Sequence, residues 1–237
     1  MRRLPRSLAR ACAVVLVVPA ALAGCTSGPG TQTEPKPDTL KPRLEGARTI
    51  LDDAETLDIS LETPELPSGT TGLLEAKGQG THAPAFKGKV RVSTGGTSLN
   101  ADVISVGGEV YAKTGFSPTF VPFDPSTVGA PDPADLVASE DGVSSLLTST
   151  EDLEVGDKTR DGADVLTAVD GTLPGELVRS LIPTADESAD FDVSYRLTDK
   201  DVLRDATIKG PFYPGSDDVT YTIKISASDK SVDITAP

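Results

Sequence analysis

The chain has 237 residues, 22 Lys and Arg against 36 Asp and Glu, no tryptophan and two cysteines. A formal charge of −14 argues against nucleic-acid binding, which needs clustered cations facing phosphate. Cys12 and Cys25 are the only thiols, and the first falls in a segment that reads as removed on maturation. Disulfide stapling is therefore excluded, and stability must come from an aliphatic core.

Arg2, Arg3, Arg6 and Arg10 precede an uncharged run from Ala11 to Ala23. A basic start, a short apolar stretch and small residues make a secretory signal peptide, too short to remain as a spanning helix. Leu22-Ala23-Gly24-Cys25 matches the bacterial lipobox, in which the cysteine sulfur is acylated and the preceding peptide removed. Residues 1–24 are thus read as a cleaved signal peptide, and Cys25 as a lipid-bearing N-terminus. The mature chain then holds 18 cations against 36 acids. An anionic membrane surface repels such a charge, so attachment is expected from the acyl chains and not from a basic patch. Residues 25–42, rich in Pro, Gly and Thr, read as a tether with a reach of about 50 Å. Residues 43–237 read as one domain.

Leu44, Ala47, Ile50, Leu51 and Ala54 recur at helical spacing, which predicts an amphipathic helix over about residues 40–56. The period then becomes two. Leu57, Ile59 and Leu61 alternate with polar residues, and Phe86, Gly88, Val90 and Val92 alternate with Lys87, Lys89 and Arg91. Further strands are expected around Ala101–Val103 and Val110–Ala112. Asp132-Pro133 predicts a short helix through Ser139, and Val143, Leu146 and Leu147 a second one. Alternation returns at Val165–Val169. A helix carrying Leu177, Val178 and Leu181 follows. Strands are expected at Phe191–Leu197, at Val219–Ile225, and at Val232 with Ile234. One-sided alternation implies an antiparallel sheet with one wet face. The expected fold is α+β, a curved antiparallel half-barrel with helices packed on its concave face.

Catalytic chemistry has little to work with. His82 is the only histidine and reads as a solvated turn residue, leaving no Cys/His dyad and no imidazole zinc site. No Gly-x-Ser-x-Gly elbow is present. Asp157 to Asp164 comes nearest to a calcium loop but lacks the terminal glutamate. No metal or cofactor is expected. Paired carboxylates for glycoside hydrolysis remain compatible with the composition. The concave apolar face can either pack shut, giving a partner-binding scaffold, or enclose a cavity.

The segments AFKGKVRVSTGGTSLNADVISVGGEVYAKTG (85–115) and FDPSTVGAPDPADLVASEDGVSSLL (123–147), together with the lipobox and the order of elements, resemble the actinobacterial LppX/LprA/LprF/LprG lipoproteins. The resemblance spans nearly the whole mature chain. It implies a hydrophobic cavity between half-barrel and helices that takes multiply acylated lipids or glycolipids. It also implies a place on the outer face of the plasma membrane, anchored through Cys25. Cargo would move toward the outer cell envelope, and some members work beside a major-facilitator exporter. No catalytic residue is implied. The resemblance puts Val90 on a strand bordering the cavity, and the alternation sets Phe86 and Val92 on the same face. Val103, Val110, Leu146, Leu177, Val193 and Ile223 complete the expected lining.

Overall fold

A computed structural model describes residues 39–237. The signal peptide, Cys25 and most of the tether lie outside the described residues. The described residues form one compact unit with its own core, so they carry what they need to fold by themselves.

Eleven strands form a single antiparallel sheet. The first six are β1 (Thr56–Glu62), β2 (Gly72–Thr81), β3 (Ala85–Thr94), β4 (Thr97–Val106), β5 (Glu109–Thr114) and β6 (Val121–Pro122). The remaining five are β7 (Glu151–Asp161), β8 (Asp164–Pro174), β9 (Asp190–Leu197), β10 (Leu203–Gly210) and β11 (Val219–Ser228). Each half is a meander of neighbours in sequence. They join where β1 pairs with β11, in the order β6-β5-β4-β3-β2-β1-β11-β10-β9-β8-β7. Three helices complete the described elements: α1 (Leu40–Asp52), α2 (Val143–Ser149) and α3 (Gly175–Leu181). Gly95-Gly96 and Gly107-Gly108 all take positive φ, as the two-residue turns of tight hairpins require.

Register aligns one side chain per strand into a row that crosses ten strands. It runs Val155, Val169, Tyr195, Ala206, Ile223, Leu61, Ala76, Val90, Ala101 and Thr114, from β7 to β5. Directly opposed residues share a face, so this row marks the concave side. Its middle portion is buried with the helices in one core. Helix α1 contributes Leu40, Leu44, Ala47 and Leu51, spaced four, three and four apart, which makes one stripe. It is fastened to α2 by polar contacts: Arg48 Nη1 donates to Thr148 Oγ1 at 2.7 Å, and Ser144 Oγ donates to Asp52 at 2.7 Å. Arg43 ties the same helix to the β9–β10 turn through Asp201 and the Thr198 carbonyl.

Several expectations need correction. Helix α1 ends at Asp52 rather than near residue 56, and its first turn takes Leu40, Lys41 and Pro42 from the expected tether. Residues 132–139 form only a 3₁₀ turn at Asp135–Val137, not a helix. Val232 and Ile234 form no strand. Their segment lies across the convex face, with Ile234 buried against Ala85 and Ile104. The Asp157–Asp164 stretch is the β7–β8 hairpin. Strands β2, β6, β7 and β10 have no counterpart among the expected elements.

The densest packing lies where Phe212 meets Phe191 and Tyr221 edge-to-face, with ring centroids 4.9 Å apart in both pairs. Tyr221 donates its hydroxyl proton to the Leu73 carbonyl at 2.6 Å, and its oxygen lies 2.7 Å from the Tyr213 hydroxyl. Burial raises the Tyr221 and Tyr195 phenols above the ordinary tyrosine range. Tyr221→Phe strands the Leu73 carbonyl in an apolar surround, so urea titration should show a loss of about 1–3 kcal/mol with unchanged far-UV circular dichroism. Because these phenols ionise more readily in the unfolded chain, stability is full below about pH 10 and falls as pH rises beyond it. That fall should be shallower in Tyr195→Phe.

Candidate functional site

The helices roof only one half of the concave face. Over β2 to β5 the cover is instead a strap, residues 123–137, containing Pro125, Pro131 and Pro133 and two 3₁₀ turns. Proline fixes φ and withholds a donor, so such a run cannot continue a sheet or supply a long helix. Asp124 caps the first turn by accepting from the backbone N–H and hydroxyl of Ser126, bonds that hold its carboxyl below the usual range.

Polar clasps and close packing hold the strap down. Ser105, fully buried on β4, donates to Asp132 at 2.5 Å, and Asp132 also accepts the Ala134 N–H at 2.9 Å. The Phe123 N–H reaches the Val110 carbonyl at 2.8 Å. Glycines let other groups settle onto the sheet. A Cβ at Gly78 or Gly88 would sit 2.6 or 2.7 Å from the Phe86 ring, and one at Gly80 would sit 2.7 Å from Val137. His82 is no solvated turn residue. It is half-buried, and its two ring nitrogens lie 3.0 Å from the carbonyls of Val137 and Leu51. A neutral imidazole can donate to only one of them. The side chain links the strap, α1 and the β2–β3 turn.

Between strap and sheet lies a cavity of about 140 Å³ whose exposed lining is almost wholly apolar. Its floor follows the register: Leu73 and Ala76, Val90 and Val92, Ala101 and Val103, then Val110 and Ala112. Phe123, Val128, Pro133 and Leu136 form the roof. Two of its lining residues, Leu99 and Phe123, are 37% and 38% exposed. An apolar space of roughly 150 Å³ stays dry and accepts a benzene-sized guest. A second apolar gap of about 20 Å³ lies under the helices, among Leu146, Val178, Ile208 and Ile223. Leu136 is the one side chain that lines both.

Of the expected lining residues, Val90, Val92, Val103 and Val110 line the larger cavity, and Leu146 and Ile223 line the smaller. Phe86, Leu177 and Val193 line neither. The tip of the Phe86 ring sits against the Gly78–Gly88 pair. Val193 is opposed by Gly171 and Ile208 in the packed half, and Leu177 packs half-buried against the core. The strap residues are absent from the expected set, although the proline spacing over 122–133 offers a signal. No cluster of three or more metal-ligating side chains occurs among the described residues.

An open half-barrel with an apolar concave face, roofed partly by helices and partly by a strap, defines an α+β fold distinct from closed β-barrels. The LppX_LprAFG lipoprotein family model matches residues 41–234, and the chain belongs to that family. Two solved structures are similar to it. LprF from Mycobacterium bovis has a TM-score of 0.67 at 14% identity, the match covering 86% of this chain and 98% of that one. Lipoprotein LppX from Mycobacterium tuberculosis has a TM-score of 0.59 at 14% identity, covering 84% and 99%. No curated protein sequence matches the chain. The shared fold, with its apolar concave face, is consistent with lipid binding.

If Ser105 clasps the strap, Ser105→Ala should cost about 1–2 kcal/mol. Hydrogen exchange at the backbone amides of residues 134–138 should accelerate more than at β9 and β10.

Proposed function

We propose that the protein is a membrane-anchored carrier that takes acyl chains of a multiply acylated lipid or glycolipid beneath the strap. Its cargo moves from the plasma membrane toward the outer cell envelope. The observation that carries this reading is the apolar cavity at the one part of the concave face that the helices leave bare. Each methylene buried there contributes about 0.8 kcal/mol, while a polar headgroup remains outside the cavity in water. At about 140 Å³ the cavity holds only part of one chain, so loading requires the strap to rise. A longer chain would push past Leu136 toward the gap under the helices.

In this reading Cys25 carries the acyl anchor and the following residues form the tether, holding the open end within reach of the donor leaflet on the outer face of the plasma membrane. The chain's own chemistry is physical exchange between two apolar environments, with no bond made or broken. A major-facilitator exporter is the partner that the family resemblance implies for onward movement.

The test is direct. Segment 34–237, produced in an actinobacterial host and extracted with organic solvent, should release acylated lipid in about equimolar amount by mass spectrometry. Ala112→Phe, which fills the cavity floor, should cut that yield about tenfold or more while leaving circular dichroism unchanged. Wild-type protein that releases no lipid would sink the carrier reading and favour the closed scaffold.

A further inference from the structure

The chain's charge is not evenly spread. Between Lys77 and Phe123 it carries five cations and only two acids, whereas from Asp124 onward it carries nine cations against 24 acids. This sector runs from the second half of β2 to β6, and the first half of β2 adds one acid, Glu75. On its convex side Lys77, Lys89, Asp102 and Lys113 stand in one register row, with Arg91 beside them. Lys77 and Lys89 are directly opposed, a pairing that like charges disfavour in a sheet.

Lys89, Arg91 and Lys113 line a groove here. Their ion pairs are exposed, and two of the three are long. Asp102 lies 3.8 Å from Lys89 and 3.7 Å from Lys113, while Glu75 lies 3.2 Å from Arg91. Such pairs are worth little, so the cations stay available to an outside anion. The groove and the apolar cavity back onto each other through β3, β4 and β5, sharing Val90, Ala101 and Thr114.

Exposed apolar side chains are frequent in the same sector. Six large hydrophobic residues among the described ones are notably exposed, and four of them, Leu99, Phe116, Val121 and Phe123, fall in this sector. Phe116 is 91% exposed. It sits one residue beyond Gly115, which lines the cationic groove, and two beyond Thr114, which lines both spaces. An aromatic ring held in water beside available cations matches an anionic bilayer interface, where the ring enters the acyl boundary and the cations meet phosphate.

We infer that the rim of the half-barrel at β3–β5 docks on an anionic bilayer surface, with Phe116 entering the interface and Lys89, Arg91 and Lys113 facing the lipid phosphates. The net negative charge repels such a surface on average. The sector reverses that sign locally and selects the face that approaches. Docking of this kind is independent of the cargo reading, because it concerns the rim and the convex groove and not the cavity's contents.

The chain has no tryptophan, so Phe116→Trp in segment 34–237 gives a single reporter. With vesicles of phosphatidylglycerol in phosphatidylcholine, the indole emission should shift blue and be quenched by brominated acyl chains. Pure phosphatidylcholine should give neither change. Raising NaCl to about 0.5 M should reverse the shift, and Lys89→Gln, Arg91→Gln and Lys113→Gln together should weaken vesicle affinity about tenfold or more. Adding Ala112→Phe, at a residue that lines the cavity but not the groove, should leave docking intact, which separates this inference from the carrier reading. Emission unchanged by phosphatidylglycerol, equal response to both lipids, or vesicle binding that leaves the indole in water would each overturn it. A surface that instead serves a protein partner would give the first of these results.

Discussion

Everything in this molecule depends on the ladder between β1 and β11. Thr56 to Glu62 pairs residue by residue with Ser228 to Thr222, joining positions at opposite ends of the domain's sequence. Without it the chain would be two meanders of five and six strands, each with one apolar face and nothing large enough to cover it. Their union makes one curved surface. It sets Leu61 beside Ile223 and lets a single row of side chains run from Val155 to Thr114. The pairing is non-local, so its loop-closure entropy must be met before its contacts are gained.

On that surface the covering is unequal. Three helices, the longest of 13 residues, cover the β7–β11 half and β1, where aromatic and leucine side chains fill the space. The β2–β5 half has smaller floor residues, including Ala76, Ala101, Ala112 and two opposed glycines, and receives only the strap. Small residues beneath a proline-rich cover cannot reach interior packing density, and an apolar cavity results. The strap's last residues, Ala134, Leu136 and Val137, are seated in the core, but the stretch from Phe123 to Asp132 is held mainly by a few hydrogen bonds. Segments held in this way open at lower free energy than a packed core. The cavity and its means of opening thus share one cause.

Much of this is legible in the sequence. Strict alternation over Leu57–Leu61, Phe86–Val92, Phe191–Leu197 and Val219–Ile225 identifies strands with one dry face, because a wet convex side forces period two. Strand β2 is hidden because Gly78 and Gly80 occupy dry-face positions, where small size serves packing and leaves no apolar signal. Strand β7 is hidden because it is a sheet edge with polar residues on both faces. The cavity floor can be read in part, since Val90, Val92, Val103 and Val110 follow from alternation and register. Its boundary cannot. Whether Val193 faces a void or a packed core depends on which strand pairs with β10, a long-range fact that periodicity does not encode. His82 misleads for a similar reason, its acceptors lying 31 and 55 residues away.

The uneven distribution of charge along the chain has a mechanical consequence. An excess of cations between Lys77 and Phe123 and of acids elsewhere gives the domain a permanent electric dipole. In the field of a charged surface a dipole experiences torque as well as force. That torque acts only within a Debye length, about 10 Å at 0.1 M salt, so it leaves tumbling in bulk unaffected and turns the domain during its final approach. Orientation would thus be settled before contact, sparing a rotational search at the surface. Ionic strength would then govern the angle of arrival as well as the strength of adhesion.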